Sequence, residues 1–135
     1  MSNKKLGNSF EQELCEKLSE YGFWVHNLAM NKSGQPADII AVRNKQAYLI
    51  DAKVVSSPRG FALSRVEENQ DLAMDLWNSQ GNGQGWFALK IPHMNEIYMI
   101  PHFTIKALMV SQSKISCAEI YQIGKTLDKW VKKCK

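Results

Sequence analysis

Acidic side chains stand in two strongly apolar parts of the sequence. Asp51 and Lys53 directly follow the apolar run from Tyr48 to Ile50, and Asp38 lies inside a second apolar run. Residues two apart in a strand point to the same face, so Asp51 and Lys53 would project together. A buried carboxylate is costly unless it is compensated, as a divalent cation with oxygen ligands would do. With a lysine that orients water or stabilises charge on a phosphate, this set predicts a metal-dependent phosphodiesterase.

A short polar segment between the two runs would bring these side chains together. Residues 43–46 (Arg-Asn-Lys-Gln) separate two strand-like segments and predict a hairpin turn. The hairpin would place Asp38 close to Asp51 and Lys53. The alternative is an ordinary strand-end ion pair, worth about 0–1 kcal/mol when exposed, because a D-x-K triplet also occurs by chance. The additional acid at Asp38 favours the catalytic interpretation.

The composition describes an ordinary globular chain. It has 135 residues, 44% hydrophobic and 22% charged, and we expect a single domain over residues 1–135. No apolar run approaches the roughly 20 residues that span a bilayer, and the first residues lack the apolar core of a secretion signal. Three cysteines without a C-x-x-C pair predict reduced thiols and a cytoplasmic location, and argue against a disulfide framework or a zinc site.

Positive charge is concentrated in two parts of the chain, although the net charge is only +4. Between Asp51 and Glu67 there is no acid, while Arg59 and Arg65 fall in that stretch, which favours contact with an acidic partner. The C-terminal eleven residues contain one acid and five lysines: Lys125, Lys129, Lys132, Lys133 and Lys135. A solvated helix face and contact with phosphates are both consistent with these lysines.

The order of predicted elements indicates a mixed α/β fold. A serine followed three residues later by Glu or Gln predicts helix starts at Ser9, Ser64 and Ser116. Strands are predicted over 23–28, around Asp38 and Asp51, and over 86–91 and 97–100. The third helix is expected to carry one apolar stripe from Ile120 to Val131. Helix, three strands, helix, two strands, helix suggests a central sheet flanked by helices.

The first predicted helix could supply a third acid. Phe10 and Leu14 are expected to face the core, which places Glu11 at the edge of that face. A solvated helix face is the alternative for Glu11. If this helix packs across the sheet near the strand of Asp38, Glu11 becomes a third metal ligand.

Together these segments resemble the PD-(D/E)XK nuclease superfamily. The matching segments are residues 7–11 (Gly-Asn-Ser-Phe-Glu), 36–38 (Pro-Ala-Asp), 51–53 (Asp-Ala-Lys) and Gln70. Within the superfamily the chain is most similar to small Holliday junction resolvases, of the archaeal Hjc type and the RecU type. The resemblance runs from about Gly7 to Pro101 and implies a restriction-endonuclease-like fold. Ala37 between Pro36 and Asp38 departs from the usual PD element.

The resemblance also implies a role for each matching residue. Glu11, Asp38 and Asp51 would bind Mg²⁺, for which Mn²⁺ could substitute, together with the backbone carbonyl of Ala52. Lys53 would position water or neutralise the phosphate, and Gln70 would lie near the active site. The helix ligand is Glu11 or Glu13, and the spacing after Phe10 favours Glu11. Lys32 and Ser33, in a polar loop, would contact nucleic acid. The acid-free stretch between Asp51 and Glu67 separately predicts that Arg59 and Arg65 contact nucleic acid.

The function implied is that of a metal-dependent, structure-selective DNA endonuclease that resolves four-way junctions by paired symmetrical nicks. A homodimer is expected because the junction has two-fold symmetry, with an interface at the strands of Trp86 and Ile97, taken as edge strands, or at the C-terminal helix. The small domain leaves little room for reading base edges, so recognition would use backbone charge and shape. The alternatives are a nuclease of this fold acting on flaps, single strands or restriction-type sites, or a non-catalytic DNA-binding protein.

Overall fold

The computed structural model describes residues 3–28 and 37–134, with side chains from residue 7 onward. The described residues form five α-helices: α1 (Asn3–Glu20), α2 (Glu68–Trp77), α3 (His102–Ser111), α4 (Cys117–Ile123) and α5 (Leu127–Lys133). Within these ranges, every helix is too short or too polar to cross a membrane.

A six-stranded sheet forms the centre of the structure. Its strands are β1 (Trp24–Asn27), β2 (Ile39–Arg43), β3 (Gln46–Val54), β5 (Trp86–Ile91), β6 (Glu96–Pro101) and β8 (Lys125–Thr126), in the spatial order β1-β2-β3-β5-β6-β8. In the described part of the chain, β3 and β5 form the one parallel pair of this sheet, and the helix α2 lies between these two strands in sequence. A separate pair of short antiparallel strands is formed by β4 (Phe61–Ala62) and β7 (Lys114–Ile115).

The predicted hairpin joins β2 to β3. Arg43 pairs with Gln46, so the turn has two central residues, Asn44 and Lys45, with φ of 52° and 68°. Positive φ at both central residues is typical of the tight turns that match the twist of two antiparallel strands. The turn sets the register that places Ile39 opposite Ile50.

Each face of the sheet carries its own apolar core. On one face α1 and α5 cover the sheet, with Leu14, Leu18 and Trp130 fully or almost fully buried. On the other face α2, α3 and α4 pack together with β4 and β7, around side chains such as Phe61 and Met74. This confirms the predicted mixed α/β architecture, with a central sheet between helices.

Two of the three predicted helix starts are wrong. Only Ser116 caps its helix as expected, with Ser116 Oγ accepting from the Glu119 backbone N–H. The helix α1 already begins at Asn3, so Ser9 lies inside it. Ser64 lies in a 3-10 turn (Leu63–Arg65), and the capping box of α2 is formed by Glu67 and Gln70 instead.

The predicted C-terminal helix is divided by the short strand β8. Gly124 precedes β8, and a Cβ at this position would lie 2.9 Å from the Ile120 carbonyl oxygen and 3.0 Å from Tyr98 Cβ. The absence of a side chain therefore lets the chain pass close to β6 and pair with it. Because β8 covers β6, and β5 is central, the strands of Trp86 and Ile97 are not edge strands, contrary to expectation.

The helix α3 was not predicted. Its sequence is apolar on all sides: His102 and Ile105 are buried, while Phe103 and Val110 are exposed. Such a segment lacks the polar–apolar period of a surface helix.

Candidate active site

Asp38 directly precedes β2, and its side chain accepts a hydrogen bond from the backbone of β3. The strand β2 begins at Ile39, opposite Ile50, but β3 continues to Val54. The backbone N–H of Ala52 donates to Asp38 Oδ2 at 2.7 Å. Asp38 is only 8% exposed. The hydrogen bond from Ala52 therefore holds a buried carboxylate against β3.

Asp51 is fully buried and has one oxygen left without a hydrogen bond. Gln70 Nε2 donates to Asp51 Oδ1 at 3.1 Å. Lys53 Nζ lies 3.1 Å from Asp51 Oδ2, an ion-pair distance, but among the described residues this oxygen accepts no hydrogen bond. Asp51 Oδ2 can therefore accept a further cationic or hydrogen-bonding partner beside Lys53.

Glu11 of α1 is the third acid of this site and contacts Asp38. Burial, the charge of Asp38 and a hydrogen bond with Asp38 raise the pKa of Glu11 to about 7, against the opposing effect of Lys53. Burial and the charge of Asp38 also raise the pKa of Asp51 well above its usual value, again opposed by Lys53. Three carboxyl groups thus converge beside one lysine, and burial with the charge of Asp38 makes Glu11 and Asp51 easier to protonate than ordinary carboxyl groups.

The structure distinguishes the two helix glutamates. Glu13 forms an ion pair with Lys90 of β5. Glu11 forms a hydrogen bond with Asp38. The geometry therefore favours Glu11 over Glu13 as the acid that α1 contributes.

Gln70 connects the start of α2 to Asp51. Its side chain is buried, and Gln70 Oε1 accepts from the backbone N–H of Glu67 at 3.2 Å. The same amide donates to Asp51 through Nε2. Because the capping box fixes this side chain, Gln70 holds Asp51 in one orientation.

Arg65, one of the predicted DNA-contacting residues, is held against the strand β3 that carries Asp51. Arg65 Nη1 donates to the Val54 carbonyl oxygen at 2.6 Å, and its guanidinium lies 5.1 Å from the centre of the Phe61 ring. Burial lowers the pKa of Arg65, and the charge of Asp51 opposes that shift. Arg65 is therefore a fixed positive charge beside the active-site strand.

Arg59 lies in an exposed tight turn, and Lys32 and Ser33 fall outside the described residues. The turn is closed by the backbone pairing of Ser57 with Gly60. Gly60 has φ of 113°, and a Cβ there would lie 2.1 Å from the Ile115 carbonyl oxygen. Close contact with β7 therefore fixes the turn that presents Arg59.

The convergent acids fit a divalent metal ion. Carboxylate oxygens are the ligands that Mg²⁺ prefers in proteins, and Asp51 Oδ2 lacks a hydrogen-bond partner among the described residues. A cation would also offset the burial and the charge of Asp38, which raise the pKa values of Glu11 and Asp51. The donor set of this site therefore suits a hard cation.

A second group of ligand-type side chains lies between α2 and α3. One ligand atom each of Asp71, Asp75 and His102 lies within 4.8 Å of the others. His102 Nε2 is 2.6 Å from Asp71 Oδ1, and Lys106 Nζ is 2.5 Å from Asp75 Oδ2. Because each acid already has a partner, this cluster is an ion-pair network joining two helices. Sequence reasoning missed it because α3 was not predicted.

We expect the metal-free protein to lose stability as the pH rises from about 5 to 8. The pKa of Glu11 is about 7 in the folded chain and 4.5 ordinarily, so the folded state holds a proton that the unfolded state releases. This contribution is complete below about pH 4.5 and is lost as the pH passes 7. Thermal unfolding of Glu11→Gln, in the presence of a chelator, should show a weaker pH dependence.

Glu20→Gln, an exposed acid on the same helix, is the matched control and should retain the wild-type pH dependence. Parallel curves for wild type and Glu11→Gln would contradict the raised pKa of Glu11.

Known proteins resemble this chain over nearly all of its length. The family model described as archaeal Holliday junction resolvase (Hjc) matches residues 2–132. Among solved structures, Hjc of Archaeoglobus fulgidus, a Holliday junction resolvase from an archaeal hyperthermophile, matches with a TM-score of 0.67 and 21% identity. The match covers 94% of this chain and 96% of that chain. No curated protein matches the sequence.

The structural match confirms the predicted restriction-endonuclease-like fold. The family match confirms the predicted functional class, a Holliday junction resolvase nuclease. The chain belongs to the Hjc family of Holliday junction resolvases, as its PD-(D/E)XK-like segments had predicted.

Proposed function

We propose that this protein is a Mg²⁺-dependent endonuclease that resolves four-way DNA junctions by paired symmetrical nicks. The observation that supports this best is the convergence of Glu11, Asp38 and Asp51 beside Lys53 in a member of the Hjc family. We expect Mn²⁺ to substitute for Mg²⁺, since both are bound by oxygen ligands. A cytoplasmic location stays a prediction.

Glu11, Asp38 and Asp51 would hold the metal, together with the backbone carbonyl of Ala52. Bound there, a divalent cation would act as a Lewis acid on the phosphate and lower the pKa of coordinated water. The protein's part is to keep these ligands in position: the Ala52 N–H fixes Asp38, and Gln70 fixes Asp51.

Lys53 would stabilise the charge that develops on the phosphate. Its ammonium group lies 3.1 Å from Asp51 Oδ2, and its side chain is only 14% exposed. A charge fixed in a water-poor site is worth more than the same charge in solvent. We therefore assign Lys53 an electrostatic role and not that of a general base.

Arg59 and Arg65 would hold the DNA backbone against this site. Replacing both by Gln should weaken binding to all DNA sequences alike and reduce the slope of log affinity against log salt by about 2, the loss of two phosphate contacts. Fluorescence anisotropy at several salt concentrations measures both quantities. Weakening for one base sequence alone would indicate base readout and would contradict this assignment.

Two copies of the chain would place two active sites on opposed strands of the junction. Exposed apolar side chains occur on α2 and α3, which contact each other: Leu72 and Leu76 on α2, and Phe103 on α3. An isologous interface requires such a self-complementary surface. A monomer found on the junction by analytical ultracentrifugation would contradict the dimer.

The metal requirement can be tested by adding back single ions. Protein treated with a chelator should leave a synthetic four-way junction intact, and Mg²⁺ or Mn²⁺ should restore cutting. Cutting that persists with excess chelator would contradict the proposed metal site.

A further inference from the structure

The edge strand β8 and the helices α4 and α5 form a basic groove at one side of the sheet. The groove has a volume of about 670 Å³. Six residues that line it carry its charge and its aromatic rings: Tyr98, Tyr121, Lys125, Lys129, Lys132 and Lys133. None of its described lining residues is an acid.

The four lysines of the groove share a single acid within residues 125–135. Asp128 is the one acid in the sequence of this segment, and it is 3.0 Å from Lys132 and accepts a hydrogen bond from Tyr21 of α1. Lys125 and Lys133 contact each other, and the charge of Lys133 lowers the pKa of Lys125. Two ammonium groups in contact repel each other unless an anion lies between them.

A general preference of helices for C-terminal lysines does not explain this arrangement. The helix dipole favours positive charge in the last turn, which covers Lys132 and Lys133 of α5. Lys125 belongs to β8 and not to a helix, and its backbone pairs with Met99 of β6. The sheet therefore brings a further lysine to a helix end that is already positive.

The basic groove is separate from the active site. Met99 lies opposite Ala88 of β5, which lies opposite Ala52 of β3. Lys125 is therefore level with the active-site segment but three strands away, about 14 Å at the usual strand spacing. The two surfaces lie towards opposite edges of one sheet, because β3 is separated from the edge strand β1 by β2 alone, whereas β8 is the other edge.

We propose that this basic groove binds the phosphate backbone of a junction arm other than the arm held in the active site. The proposal rests on the proposed junction-resolving function. Phosphates of DNA are the anions whose spacing along a strand suits several lysines in a row, and contacts with them are independent of sequence. The arms of a four-way junction diverge, so a basic surface displaced sideways from the active site meets a neighbouring arm.

The test compares Lys125→Gln/Lys133→Gln with a control that removes the same charge elsewhere, Lys17→Gln/Lys114→Gln, both exposed residues outside the groove. Binding is measured by fluorescence anisotropy with a chelator present, on a four-way junction and on a linear duplex with the sequence of one arm. The groove variant should bind the junction about 10-fold or more weakly near 0.1 M salt, with a salt slope reduced by about 2. Its affinity for the linear duplex should match the wild type.

A charge-conserving variant, Lys125→Arg/Lys133→Arg, should retain junction binding, which separates loss of charge from misfolding. The rate of cutting at saturating protein should be unchanged in the groove variant, since the groove lies outside the catalytic site. Equal losses on both DNAs, an equal loss in the control pair, or no loss would each overturn the proposal. Failure of the wild type to cut any junction would instead contradict the proposed function.

Discussion

Asp51→Asn is expected to abolish cleavage of a four-way junction while DNA binding is retained or becomes tighter. The variant removes the charge of a fully buried carboxylate whose Oδ2 has no hydrogen-bond partner among the described residues. The carbonyl oxygen of the new side-chain amide could still accept the hydrogen bond from Gln70, so the local fold should be kept. Binding should not weaken because repulsion between the acids and the DNA phosphates decreases.

Asp38→Asn should give the same result, since the amide oxygen of the variant could still accept from the Ala52 N–H. Calorimetry should show that both variants lose Mg²⁺ binding. The control is Asp75→Asn, an acid of the separate network on α2, which should cut normally. Cleavage near the wild-type rate in Asp38→Asn or Asp51→Asn would refute the assignment of the metal ligands.

Lys53→Ala is expected to reduce the cleavage rate by about 100-fold or more, the usual scale for removing one charge-stabilising group. Mg²⁺ binding should survive, because Lys53 is not a ligand and its loss removes a positive charge beside Asp51. Single-turnover cutting and calorimetry on the same sample separate these two effects.

Lys90→Ala is the matched control, since Lys90 is a strand lysine paired with an acid of α1, Glu13. It should retain most of the activity. If Lys53→Ala cuts as fast as the wild type, Lys53 is only the partner of a structural ion pair.

The position of Asp38, directly before β2, beside Asp51 of β3 could be predicted because its signal is local. Carboxylates in apolar strands stand out from their neighbours, and the two-residue turn at Asn44 and Lys45 fixes the register that joins them. The hydrogen bond from Ala52 to Asp38 could not be predicted, because it depends on β2 beginning only at Ile39 while β3 continues past Ile50 to Val54. Local sequence shows neither the relative lengths of the strands nor their ends.

The C-terminal third was predicted less well because tertiary contacts decide its structure. An apolar stripe from Ile120 to Val131 is typical of one helix. Gly124 instead lies close to β6, and the next two residues pair with β6 as the strand β8. The hydrogen bond between Asp71 and His102 joins residues 31 positions apart. Such pairs have no signature in spacing, and they become visible only when α2 and α3 are placed together.

The central claim is that this site cuts branched DNA in preference to linear DNA. The most direct measurement follows a four-way junction and a linear duplex of the same arm sequence, each labelled on every strand in turn, with Mg²⁺ present. We predict symmetrical nicks in two strands of like polarity, nicked duplex products that ligase can seal, and little cutting of the linear duplex. Degradation of the linear duplex at a similar rate, or cuts without two-fold symmetry, would contradict the proposed function.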